Sequence, residues 1–378
     1  MNIFNSLGSN YNLKFALKAL FAQNKKLYKE ELIDFLEKKY QGKAILAYKG
    51  REAIGLAIEI LKLPKDSFVA INGFTCYAVY KAINNEGYET ELLDLPRSSD
   101  LNFSAETLEQ SLKRNPKIKV VIIQNTLGYP CDIEKIAKIC KENNLILIED
   151  LAHSVRTVYE NGKEAGTIGD FVVLSFSQDK IIDAISGGAL IIRKNKYQNH
   201  LASQGKTLQG RQQTIDRLYP LFTFKIRKSY PFGIGKFIHL LLKSFNLLSK
   251  PMNESFYTKY DLPNWYCSLV LHAFDNLEEN LNHRKKIVGI YNNMLEPKIS
   301  YPSTLRYCIF VENRKSLIKS LKDKGVYVSD VWYDSVDDNI KNAKVAANTI
   351  LNLPTHKNVS EDDAIKIAEQ INIWLKSQ

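Results

Sequence analysis

The chain has little that would mark a disulfide-stapled, membrane-spanning or metal-binding protein. Its five cysteines, at positions 76, 131, 140, 267 and 308, include no Cys-x-x-Cys pair. An odd, scattered set of thiols fits a reducing, cytosol-like compartment rather than a disulfide framework, and a cytoplasmic protein is expected. The opening MNIFNSLGSNYNLKFALKALF has no early basic stretch followed by a long apolar one, so no signal peptide is expected. No apolar run reaches membrane-spanning length. The six histidines show no metal-ligand spacing, and no metal is expected. Basic residues exceed acidic ones to give a formal charge of +11, an excess that attracts phosphate on nucleic acid, anionic lipid or a nucleotide-linked substrate. The basic residues are spread along the chain and accompany no nucleic-acid motif, which argues against nucleic acid as the partner.

What is present is an ordinary globular composition, 45% hydrophobic and 25% charged over 378 residues, enough for one large domain and a smaller one. The chain is organised around residues 146–190, ILIEDLAHSVRTVYENGKEAGTIGDFVVLSFSQDKIIDAISGGAL. A β-branched run ends on the acidic pair Glu149-Asp150; a second apolar run, Phe171 to Phe176, leads to Ser175 and Lys180; a third follows a Gly-Gly pair. Open α/β sheets hold ligands at the carboxyl ends of their strands. A lysine there can form a Schiff base with an aldehyde, and pyridoxal phosphate needs an acid to keep its pyridine nitrogen protonated. Asp150 suits that acid, His153 lies close enough to cover the ring, and Ser175 can donate to the phosphate. Singly, such a lysine is most often a solvated loop charge and such an aspartate a cap or turn residue. Their order at successive strand ends makes the stretch a candidate site.

EDLAHS, GTIGDFVVLSFSQDK and SGGALI resemble the DegT-type sugar aminotransferases, which are fold type I pyridoxal phosphate enzymes. The resemblance runs from about residue 44 to about residue 360, with a break over 206–258. It implies that Asp150 contacts the pyridine nitrogen, Ser175 the phosphate, and that Lys180 forms the internal aldimine. Relatives that dehydrate sugars carry histidine at the lysine position, so Lys180 argues for transamination. The Gly turn and helix start in KAILAYKGREAIGLAIEILKL suit a phosphate, and the resemblance makes Gly50, Arg51 and Glu52 its contacts, mainly through backbone N–H groups. Three positions depart from the family's pattern. Cys76 stands where an aromatic ring stacks on the pyridine, so either Tyr77 turns inward or Tyr77 packs in the core and the ring face is less covered. Asn125 replaces a common histidine, as a loop hydrogen bonder or a contact of the ring hydroxyl. Lys259 takes the place of an asparagine that reaches the neighbouring subunit's phosphate, which a lysine can meet as a point charge.

Alternating strands and helices over 44–193 predict a mainly parallel sheet with helices on both faces; the resemblance adds the fold type I architecture with a smaller C-terminal α+β domain. The expected division is N-terminal helices over 1–40, a large cofactor-binding α/β domain over 41–258, and the small domain over 259–378. Residues 206–258 form a basic, aromatic insertion; within it 231–250 reads as a cover or dimer-contact hairpin, or as a helix lying on an anionic membrane. The resemblance further implies a homodimer, an amino-acid donor such as glutamate, and a nucleotide-linked ketosugar as acceptor. A catalytically idle relative, regulating or scaffolding polysaccharide assembly, is the alternative. A desulfurase would want a cysteine on a mobile loop, and none of the five is placed to say so.

Overall fold

Short apolar runs closed by turns build a seven-stranded sheet, seen here in a computed structural model that describes residues 2–200, 205–250, 258–296, 305–329, 335–337 and 339–378. In chain order, β1 (Ile3–Phe4) lies apart, and the sheet comprises β2 (Lys43–Ala47), β3 (Phe68–Asn72), β4 (Glu89–Leu93), β5 (Ile118–Ile123), β6 (Ile146–Asp150), β7 (Phe171–Ser175) and β8 (Gly188–Ile192). Their spatial order is β2-β8-β7-β6-β5-β3-β4, and β8 alone runs against its neighbours. The mainly parallel sheet expected from the alternating pattern is therefore present.

Both faces of this sheet are covered because its central strands carry apolar residues on both sides. Val121, Leu147 and Leu174 enter one core, while Val120, Ile148 and Val173 enter the other. The period-two alternation of a strand sends neighbours to opposite faces. The first core is closed by the helix Lys26–Tyr40 through Leu32 and Leu36, the second by the helix Gly50–Leu61 through Ala53, Ile54 and Ala57.

A smaller α+β layer follows. Strand β9 (Tyr307–Phe310) pairs antiparallel with β11 (Ile350–Leu353), and β10 (Val326–Tyr327) pairs in parallel with β1. The strand expected over VYVSDVWY is present at Val326–Tyr327; its residues 330–333 lie outside the described residues. A capping box of Ser360 with Asp363 starts the last helix, Glu361–Lys376. Packing runs across the boundary expected at 259. Trp265, Tyr266 and Cys267 of the helix Asn264–Asp275 join the large-sheet core, while Ile287 and Tyr291 of the next helix join the small layer. The N-terminal segment belongs to both, through Ile3 in the small layer and Tyr11 and Leu32 in the large core.

The basic insertion is two helices. Gly210–Ser229, which contains Pro220, buries Ile215, Tyr219 and Ile226. Ile234–Ser244 follows, and around it Phe232, Ile234, Phe237, Leu240 and Phe245 are exposed, Phe232 by 79%. Among the described residues no helix is long and apolar enough to cross a membrane.

Candidate active site

Because six of the seven strands point the same way, their carboxyl ends deliver residues to one edge of the sheet. Two adjoining cavities lie there. One is walled by Lys49, Gly50, Arg51, Asp150, Ser175 and Gln178; the other by Asn5, Thr126, His153, Arg306 and Asn352. Cys76, Gln124 and Lys180 line both. Of the residues expected from sequence, the structure thus brings together Gly50, Arg51, Cys76, Asp150, His153, Ser175 and Lys180.

Strand alternation splits the Glu149-Asp150 pair between opposite faces. Glu149 turns away and accepts hydrogen bonds from the N–H groups of Gly166, Ile168 and Gly169 and from the Tyr159 hydroxyl, at 2.5–2.9 Å. It thereby folds the loop that returns the chain to β7. Asp150 faces the cavity, where the Gln124 amide donates to Oδ2 at 3.0 Å and the Ala152 N–H to Oδ1 at 2.9 Å. Burial pushes its carboxyl above the usual 3.8, opposed by these donors and by Lys180.

Lys180 sits in the loop between β7 and β8, and Asp183 shapes that loop. The Asp183 carboxylate accepts from the N–H groups of Asp179 and Ile185 and from the side chains of Asn10 and Tyr11, at 2.5–3.1 Å. Asp179 and Ile185 have φ of 65° and 73°, a strained conformation, especially for a β-branched residue, that tertiary contacts must enforce. Burial lowers the Lys180 ammonium below its usual value, while Asp150 and Asp179 pull it back up. More neutral amine, the nucleophilic form, is present at a given pH than a solvated lysine would offer.

At the phosphate-suited end, Gly50 opens its helix against Ser175. A Cβ on Gly50 would lie 2.7 Å from the Ser175 Cβ, so only glycine permits this approach. His153 Nδ1 accepts from the Leu127 N–H at 3.1 Å, placing any ring proton on Nε2. Burial, Lys180 and Arg306 hold that imidazole well below its usual pKa, hence neutral.

Three expected contacts need correction. Glu52 is not on the cavity wall: its N–H donates to the Lys49 carbonyl at 3.1 Å, and its carboxylate accepts from the N–H groups of Tyr48 and Tyr260. Tyr77 is 46% exposed and packs on Tyr80, so it does not turn inward to stand in for the ring missing at Cys76. Asn125 is a loop hydrogen bonder, with φ 49°; its amide donates to the Tyr159 hydroxyl and its carbonyl accepts from the Cys131 N–H. Lys259, expected to meet the phosphate of a neighbouring subunit, is engaged within its own chain by Glu59 and Glu86, at 2.6 and 2.7 Å.

Sequence reasoning missed Gln124, Lys49, Arg306 and Asn5. Gln124 was open to discovery: β5 pairs Ile123 with Glu149, and the next step of that register sets Gln124 beside Asp150. Its carbonyl in turn accepts from the Thr75 hydroxyl at 2.6 Å. Asn5 and Arg306 reach the site only through tertiary packing, the Arg306 guanidinium donating to the Asn5 carbonyl at 3.1 Å.

A lysine and a buried carboxylate at the strand ends, with a glycine-cradled helix start, define a fold type I pyridoxal phosphate transferase. The profile of the DegT/DnrJ/EryC1/StrS aminotransferase family matches residues 20–372, and the chain belongs to that family. The chain is similar to GDP-perosamine synthase of Caulobacter vibrioides, 23% identical over 86% of this chain and 83% of that one. It is also similar to UDP-4-amino-4,6-dideoxy-N-acetyl-beta-L-altrosamine transaminase of Campylobacter jejuni, 25% identical over 74% and 63%. Among solved structures it resembles the PLP-form of the putative sugar aminotransferase Spr1654 from Streptococcus pneumoniae, with a TM-score of 0.74, 18% identity, and coverage of 100% and 99%. The protein is a pyridoxal phosphate-dependent aminotransferase.

Proposed function

We propose that this chain moves an amino group from an amino acid such as glutamate to a ketosugar carried on a nucleotide, in amino-sugar synthesis. The observation that carries this reading is the position of Lys180 on the shared wall of two cavities, one holding an acid and a glycine-cradled helix start, the other lined by polar groups from three parts of the chain. When bound, pyridoxal phosphate supplies an electron sink. The residues present fit it: Gly50, Arg51 and Ser175 would receive its phosphate, and Asp150, oriented by Gln124, would meet its ring nitrogen. Lys180 would hold its aldehyde carbon and, once displaced by the donor amine, carry the proton at the carbon that gains or loses nitrogen. Arg306 contributes a cation to the outer cavity, where an acidic substrate group would lie. The relatives named for GDP- and UDP-sugars support a nucleotide-linked acceptor without choosing the nucleotide.

The cofactor-loaded protein, given glutamate and a panel of nucleotide-linked ketosugars, should produce an amino sugar whose mass shows the ketone oxygen replaced by NH2, with the donor recovered as its 2-oxo acid. Failure with every acceptor while the cofactor stays bound would favour the regulatory or scaffolding alternative.

Two further features belong to the same reading. The five unpaired cysteines support a cytoplasmic location, and the resemblance supports a homodimer. The apolar face around Ile234–Ser244 adjoins Lys236, Lys243 and Lys250, and no acidic residue occurs between Asp216 and Glu254. That combination suits an anionic membrane surface. Sedimentation tests both ideas: the protein alone should have the mass of two chains, and vesicles rich in anionic lipid should carry it down, less so in high salt. A monomer fully loaded with cofactor would sink the first idea, and a supernatant unchanged by vesicles the second.

A further inference from the structure

Lysine side chains are rarely buried without a partner, because an amine removed from water loses hydrogen bonds that something must replace. Lys49 is 2% exposed, and its Nζ makes no hydrogen bond among the described residues. Neither nearby carboxylate serves it. Glu52 accepts from the N–H groups of Tyr48 and Tyr260, and Asp216 accepts from the Tyr48 and Tyr266 hydroxyls and the Gln212 amide. Among the described residues the amine lies over the face of the Tyr48 ring, 4.5 Å from its centroid. Burial lowers the ammonium to about 8, with Asp216 and Glu52 raising it and Arg51 lowering it.

Lys49 lines the same cavity as Gly50, Arg51 and Ser175, and it is the residue that precedes the helix Gly50–Leu61. A helix start, a glycine held against a serine hydroxyl and an unsatisfied buried amine form a site whose missing member is an anion. We propose that Lys49 is the charged ligand of the cofactor phosphate, a point charge supplied from within the same chain. The proposal rests on the cofactor reading above.

The test separates the phosphate from the rest of the cofactor. Dissociation constants of pyridoxal phosphate and of pyridoxal, which lacks the phosphate, are measured by absorbance for the wild type, Lys49→Met and Lys49→Arg. Lys49→Met should weaken pyridoxal phosphate by roughly ten- to a hundredfold, as expected for a charge-assisted hydrogen bond, and leave pyridoxal within about twofold; Lys49→Arg should recover most of the loss. Melting gives a second readout. With no ligand, Lys49→Met should melt at or above the wild-type temperature, because an unpaired buried cation is replaced by an apolar chain of similar length. Inorganic phosphate should raise the melting temperature of the wild type and not of Lys49→Met.

Equal weakening of both ligands, or a lower melting temperature with unchanged phosphate preference, would make Lys49 a packing residue of the Tyr48 face and overturn the proposal. A wild type that binds neither ligand would overturn the cofactor reading itself, and the proposal with it.

Discussion

Lys180→Ala protein, treated with pyridoxal phosphate and then borohydride, should carry no cofactor on the peptide around position 180, whereas the wild type should be yellow and labelled there. Two amines line the inner cavity, those of Lys49 and Lys180, so the site of the label decides between them. Position favours Lys180. It alone of the two also lines the outer cavity, and its loop is fixed by Asp183 through four hydrogen bonds. Amine transfer should fall by at least roughly a thousandfold, since the variant loses both the group that holds the aldehyde carbon and the proton carrier. Stability should change little, because burial already disfavours the Lys180 charge and its removal relieves that cost. Mass analysis of the borohydride-treated digest checks the assignment; label on the Lys49 peptide, or full activity in the variant, would contradict it.

Asp150 should behave differently. Asp150→Ala and Asp150→Asn proteins should still be labelled at Lys180 yet lose amine transfer by orders of magnitude, about tenfold for each 1.4 kcal/mol of lost transition-state stabilisation. The carboxylate is the acid at the cavity wall that can hold a ring nitrogen protonated, and Gln124 and Ala152 orient it. A pH argument separates this role from a structural one. The folded pKa of Asp150 lies above its ordinary 3.8. Ionisation therefore costs the empty fold stability as pH rises from about 3.8 through the folded value. Asn never ionises, so the empty Asp150→Asn protein should be at least as stable as wild type at neutral pH and less sensitive to pH across that window. Thermal melts over pH 3 to 8, beside rate measurements, test this. A destabilised Asn variant with normal turnover would show that Asp150 serves the fold and not the reaction.

The sequence by itself determined the layered α/β architecture, because apolar runs of five or six residues alternating with amphipathic segments can satisfy their backbone and bury both faces in few other ways. It also placed Asp150 and Ser175 at strand ends and Lys180 in the loop just after one, where local pattern and strand direction are enough. Choices between adjacent residues were decided only by tertiary structure. Whether Asn125 or Gln124 faces the cavity depends on the register of β5 against β6, and Asn125 leaves the strand in a left-handed conformation that sends its amide to Tyr159. Tyr77, beside Cys76, packs outward on Tyr80 once its helix begins. The partners of Lys259 come from two helical segments some 170 and 200 residues earlier in the chain. Asn5 and Arg306, about 300 residues apart in the chain, meet at the outer cavity by a hydrogen bond that no local pattern encodes. Lys49 is the clearest case: in the sequence it is one lysine among many, and only the folded surroundings, which bury its amine without a hydrogen-bond partner among the described residues, set it apart.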